Sequence, residues 1–145
     1  MTTLLTDKQQ SSLAVFIKLM RATNTTTQNI HRHLADVRLT HSQFAVLEAL
    51  SHLGPLCQGE LSNKILKSNA NITSVVDALE NRELAVRERS KGDRRKVMVK
   101  LTNEGRKMVK NIFPKHVEVI EQEFSVLTEK EKKELGKLLK KLGKK

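Results

Sequence analysis

Tryptophan and tyrosine are absent and phenylalanine occurs four times. The chain is therefore poor in the flat side chains on which unpaired bases stack, and duplex DNA is a better expected partner than single-stranded nucleic acid. The single cysteine, Cys57, excludes an internal disulfide framework and a metal site built from several thiolates. Apolar stretches are only a few residues long, which argues against a membrane-spanning helix. The first 30 residues lack a basic start followed by an apolar run, so a cytoplasmic location with no membrane partner is expected. Also missing are a Gly-rich phosphate loop, a His-Glu-x-x-His metal motif and a Gly-x-Ser-x-Gly nucleophile turn. Neither an enzyme nor a bound cofactor or metal is expected.

What the chain does have is charge in particular places. Its 145 residues are 38% hydrophobic and 30% charged, a balance that fits one folded domain over 1–145, and the net charge is +11. Residues 82–107 hold ten Arg or Lys against four acids, and residues 129–145 hold eight Lys against three. The first region concentrates Arg (Arg87, Arg89, Arg94, Arg95), whose planar donor fork suits phosphate and base edges. The second is all Lys on a helical pattern, the mark of a solvated face with diffuse attraction for polyanions.

Periodicity supplies the elements. Thr6 and Gln9 have capping-box spacing before Leu13, Phe16, Ile17 and Met20, which predicts a long helix from about residue 7 to 33 despite weak helix formers in 24–29. Thr40 and Gln43 repeat the box, with Leu39 and Phe44 at the hydrophobic-staple positions, and Gly54-Pro55 closes that helix. Leu56 to Ile65 is expected to be a short helix, followed by a turn at Lys67-Ser68 and a helix from Asn69 to about Arg82 capped by Ser68. In the latter, Ile72, Val75, Val76 and Leu79 form the buried stripe and Asn69, Thr73, Ser74 and Asp77 lie away from it. Two short alternating runs, 85–89 and 96–101, then make a hairpin around a basic tip, residues 91–95. Thr102 opens a helix that Pro114 should bend or divide after Phe113, and Thr128 with Glu131 caps a last amphipathic helix ending near Gly143.

The fold class expected is mainly α with a small β-hairpin: a winged helix-turn-helix over 35–101, flanked by helices at 7–34 and 102–142. The major groove of B-DNA admits a helix whose polar start meets base edges. Ser68, Asn69, Asn71, Thr73 and Ser74 supply hydrogen-bonding groups at that start, while Lys91, Arg94 and Arg95 on the protruding wing reach toward the minor groove and phosphates. Asp93 is expected to brace the wing by accepting bonds from Arg95 or from tip amides. Spacing alone leaves open which Arg partners it and which reads DNA. A nonspecific architectural protein binding duplex DNA by charge is the competing interpretation.

Over nearly its whole length the chain resembles the MarR family of bacterial transcription regulators. The resemblance rests on Leu39-Thr40-x-x-Gln43-Phe44-x-x-Leu47, Glu60-Leu61-Ser62, Asn71-Ile72-Thr73-x-x-Val76-Asp77-x-Leu79-Glu80, Asp93-Arg94-Arg95 and Leu101-Thr102-x-x-Gly105. It implies a homodimer formed through the flanking helices, two winged lobes reading a palindromic operator, and repression relieved by a small molecule. By position it puts Arg94 in the minor groove, Asn69, Asn71, Thr73 and Ser74 in the major groove, and Asp93 with Arg95 in the wing brace. Many relatives carry Arg where this chain has Ser74.

The stretch Phe113-Pro114-Lys115-His116-x-x-x-Ile120-x-x-x-Phe124 resembles a subgroup that senses quinones, catechols and related aromatics. It implies an effector pocket drawing on Phe16, Met20, His41, Phe113 or His116, though core packing competes for each. Cys57, at an expected helix start, offers a redox-responsive alternative, but the family's peroxide sensors place their reactive cysteine in the first helix, where this chain has none.

Overall fold

A computed structural model describes residues 4–65, 69–93 and 95–144. The described helices are α1 (Asp7–His31), α2 (His41–Leu53), α3 (Gln58–Ile65), α4 (Asn69–Asn81), α5 (Asn103–Glu123) and α6 (Glu129–Gly143), and the strands are β1 (Leu56–Cys57), β2 (Ala85–Arg89) and β3 (Val97–Leu101). Short 3-10 turns follow α1 and α5. The chain divides into two compact units, one of residues 1–32 with 119–145 and the other of residues 33–118.

In the first unit, α1 starts on the expected capping box, with the Thr6 hydroxyl accepting from the Gln9 amide and the Gln9 side chain accepting from the Thr6 amide. The weak helix formers of 24–29 stay helical. Thr26 and Thr27 donate their hydroxyls to the carbonyls of Ala22 and Thr23, at 2.7 and 2.6 Å, and so spend their polar groups on the preceding turn. Asn29 donates to Glu123 at 2.9 Å, tying α1 to the end of α5. α6 opens on the third capping box, Thr128 with Glu131. Neither α1 nor α6 buries a residue.

The second unit carries the hydrophobic core. Leu34, Leu39, Phe44, Val46, Leu47, Leu50, Leu61, Ile72, Val76, Leu79, Val99, Val109 and Ile112 are all buried in one cluster. The staple pair Leu39 and Phe44 is part of it, and the Thr40–Gln43 capping box is formed. Gly54 ends α2 at a φ of 79°, a left-handed conformation that favours glycine.

The sheet is antiparallel with order β1-β3-β2. Leu56 and Cys57 therefore do not belong to the third helix, as periodicity predicts, but pair with Val99 and Met98. The cause is nonlocal: β3 offers a second edge, and Leu56 gains burial by lying on it. A second departure concerns Pro114, through which α5 runs without division. Ile112 and His116 on either side of it are buried, and this packing outweighs the lost backbone bond.

Two turns lacking any glycine signal are held by side chains. After α4, Glu83 takes a φ of 59°, while its amide and that of Leu84 bond to the carbonyls of Glu80 and Leu79, the Schellman pattern. Thr102 donates to the Glu83 carbonyl at 2.6 Å, and its own hydroxyl accepts from the Gly105 amide at 3.0 Å, so one side chain closes this turn and starts α5. Arg38 takes a φ of 56° in the same pattern, and Arg82 donates to the carbonyls of Arg38 and Val37.

Candidate nucleic-acid interface

Helix α4 presents the surface its sequence predicts. Ile72, Val76 and Leu79 are buried in the core, Val75 of the expected stripe is only half-buried, and Asn71, Thr73, Ser74 and Asp77 are exposed. Asn69 begins the helix, and Ser68 lies outside the described residues. Asn71 and Ser74 border a groove of about 440 Å³ with Thr40, Ser42 and Gln43 from the start of α2. The Thr73 hydroxyl accepts from Gln58 Nε2 at 2.9 Å.

The wing follows from β2 and β3, paired from Ala85↔Leu101 to Arg89↔Val97. Its tip closes through the Ser90 amide on the Lys96 carbonyl and the Lys96 amide on the Asp93 carbonyl. Asp93 Oδ1 accepts from the Arg95 amide at 2.9 Å and lies 3.4 Å from Arg95 Nε. The Arg95 side chain is 94% exposed, so the carboxylate shapes the turn while the guanidinium stays in solvent. Lys91 and Lys96 are also exposed. Arg94 lies outside the described residues.

Several cations of this basic region are used internally. Arg87 is expected on composition to face phosphate, yet it points inward. Its Nη1 pairs with Glu80 and, at 2.8 Å, with Asp77; Nε donates to Gln58 at 3.0 Å and Nη2 to the Thr73 carbonyl at 3.2 Å. Strand period could have revealed this, because Arg87 shares a face with fully buried Ala85. At this surface sequence reasoning thus missed Gln58 and assigned Arg87 to the wrong partners. Lys100 pairs with Glu88, and Arg106 bonds to the Leu101 carbonyl and to Asn103.

The residues expected to form an effector pocket fall in both units. Phe16 and Met20 are exposed on α1, where Phe16 borders a groove of about 380 Å³ with Val15, Leu19 and Leu142. His41 lines a different groove, of about 470 Å³, with Ala45, Glu48, Ala49, His52, Leu53, Lys64 and Ile65. Phe113 meets His52 edge-on, and His116 packs edge-on against Phe44. His116 Nδ1 lies 3.0 Å from His33 Nε2, a hydrogen bond in which one ring must be the donor. Burial lowers both imidazole pKa values; Lys115 lowers that of His33 further, and His33 and His41 lower that of His116 against the opposing effect of Glu48.

Cys57 is half-buried at the residue preceding α3, and its amide donates to Glu60 Oε1 at 3.1 Å, the returning half of a capping box. Bonds from the Cys57 side chain and amide hold the Glu60 carboxyl below the usual range. Among the described residues no group of three or more His, Cys, Asp or Glu is placed to hold a metal ion, and no helix is long and apolar enough to cross a membrane.

A winged helix-turn-helix with a polar, exposed second helix and a basic wing defines a DNA-binding protein. Residues 39–97 match the model of the MarR family. The HTH-type transcriptional regulator MhqR of Bacillus subtilis is 37% identical over 134 residues, 92% of each chain. The HTH-type transcriptional repressor NicR of Pseudomonas putida is 32% identical over 124 residues, 86% of this chain and 78% of that one. Among solved structures, Bordetella bronchiseptica BpsR, whose DNA binding is regulated by 6-hydroxynicotinic acid, superposes with a TM-score of 0.81 at 29% identity, covering 89% of this chain and 98% of that one. The chain belongs to the MarR family, whose members are DNA-binding transcription regulators and not enzymes.

Proposed function

We propose that this regulator is a homodimeric repressor that binds a palindromic operator and leaves it when a small aromatic or phenolic molecule binds. The observation that carries the DNA-reading half is the exposed polar face of α4 beside a wing whose Lys91, Lys96 and Arg95 stand in solvent. In this reading Ser68, Asn69, Asn71, Thr73 and Ser74 meet base edges in the major groove, and Arg94 enters the minor groove. Dimerisation has its own support. Leu13, Phe16, Ile17 and Met20 on α1, and Leu135, Leu138, Leu139 and Leu142 on α6, are exposed at i, i+3, i+4, i+7 spacing, two apolar stripes that a second copy would cover.

The repressor and effector assignments draw support from NicR, named a repressor, and from the ligand-regulated BpsR. The groove beside His41 is of a size that suits a small ligand, with an apolar lining of Ala45, Ala49, Leu53 and Ile65 and polar groups from His41, Glu48, His52 and Lys64. Fluorescence anisotropy on operator duplex, with a panel of phenols and quinones added, tests the whole reading. Saturable release by one class is the expected result, and indifference to all would remove this effector class. Arg94→Ala should weaken operator binding at least about tenfold while leaving the sedimenting species a dimer, since bonds from a charged donor contribute about 1.5–3 kcal/mol each. Unchanged affinity would take Arg94 off the reading surface, and a monomer at micromolar concentration would overturn the dimer.

A further inference from the structure

The cluster around Arg87 joins parts of the lobe that the proposed role of α4 leaves unconnected. One guanidinium reaches Asp77 and Glu80 on α4, the Thr73 carbonyl in the same helix, and Gln58 at the start of α3, and the Arg87 amide donates to Glu80 at 3.0 Å. Gln58 is held at both ends: its Oε1 accepts from Arg87 and its Nε2 donates to the Thr73 hydroxyl. Arg87 lies on β2, the strand that leads into the wing. Its side chain is 22% exposed, Glu80 33% and Asp77 58%, so the Glu80 pair is partly shielded from water and salt while the Asp77 pair is open to both.

We propose that Arg87 and Gln58 are positioning residues for sequence reading. They fix the exposed face of α4 at Thr73 to the wing strand and to α3, so that helix and wing engage DNA as one unit. The guanidinium is spent on the protein's own carboxylates and carbonyl, which leaves it no role as a phosphate contact. Arginine is required because a lysine ammonium can pair with a carboxylate but cannot span Gln58, the Thr73 carbonyl and two acids at once. The proposal rests on α4 reading bases, and its test keeps the two ideas apart.

Arg87→Lys keeps the charge that neutralises Asp77 and Glu80, and Gln58→Ala changes no charge. Each is titrated against a selected duplex and an unrelated duplex over a range of salt, after thermal melting confirms folding. The expected result for both is a loss of about three- to tenfold in the ratio of selected to unrelated affinity, the range of one or two hydrogen bonds, with unrelated-duplex affinity and salt slope unchanged. In a Thr73→Ala background, Gln58→Ala should cost less than it does in the wild type, because part of its effect passes through the Thr73 hydroxyl.

A parallel fall on both duplexes would identify Arg87 as a general backbone contact and overturn the proposal. An unchanged ratio in both variants, or full additivity of Gln58→Ala with Thr73→Ala, would do the same. If the wild-type protein itself fails to discriminate between duplexes, base reading by α4 falls as well. If it discriminates and the variants match it, only positioning falls.

Discussion

Replacing Gly105 with alanine tests the packing that joins the turn after α4 to the start of α5. A Cβ built on Gly105 would stand 2.0 Å from the Leu84 carbonyl oxygen, 3.1 Å from the Leu84 carbonyl carbon and 3.2 Å from Leu101 Cδ2. The closest of these is a backbone atom, and that same oxygen accepts from the Thr102 amide at 3.1 Å. Relief therefore requires α5 to move away from the α4–β2 turn, not a side chain to rotate. Overpacking of this kind costs about 1–3 kcal/mol. Lengthening the Thr102 bond adds about 0.5–1.5 kcal/mol, and the better helix propensity of alanine offsets up to about 1 kcal/mol. The net loss is about 2 kcal/mol, or a Tm lower by about 4–8 °C in a chain of this size.

Gly136→Ala is the paired control. That glycine sits in α6 with nothing within 4 Å of the added Cβ. Helix propensity alone then raises Tm, by up to about 4 °C. Both variants are melted by circular dichroism at equal protein concentration, since association would make Tm concentration-dependent. A Gly105→Ala protein melting at or above wild type would refute the close approach.

Two further outcomes follow from charge. His33 and His116 both have folded pKa values depressed below the ordinary 6.5, so the neutral pair contributes stability that is present above that value and is lost as pH falls below it toward the folded values. Wild-type Tm should drop more between pH 7.5 and pH 5 than that of a His33→Gln/His116→Gln variant; equal slopes would discount the pair. Asp93→Ala removes a negative charge from the wing, which by charge alone would tighten DNA binding. Because Asp93 shapes the turn through the Arg95 amide, operator affinity should instead fall in anisotropy titrations, and tighter binding would contradict the bracing role.

Local signals predicted the elements that local chemistry determines. Thr6–Gln9, Thr40–Gln43 and Thr128–Glu131 each have box spacing, and each box forms. The buried stripe of α4 and the alternation of β3 were likewise legible, because each is a periodicity within one element. Features set by distant partners were not. Leu56–Cys57 becomes a strand only because β3 has a free edge, and Glu83 and Arg38 take left-handed conformations without glycine because the chain around them supplies hydrogen bonds from Thr102 and Arg82. Arg87 shows the same limit at the interface, since its composition points to phosphate while its partners Asp77, Glu80 and Gln58 are brought to it by the fold.

Selection of bound sites from a pool of random duplexes tests most directly the proposed sequence-specific reading of duplex DNA by a dimer. Enrichment of an inverted repeat, with half-sites about one helical turn apart, is the expected result. Recovery of unselected sequence, bound with a steep salt dependence and no preferred motif, would contradict it and leave a protein that holds DNA by charge alone.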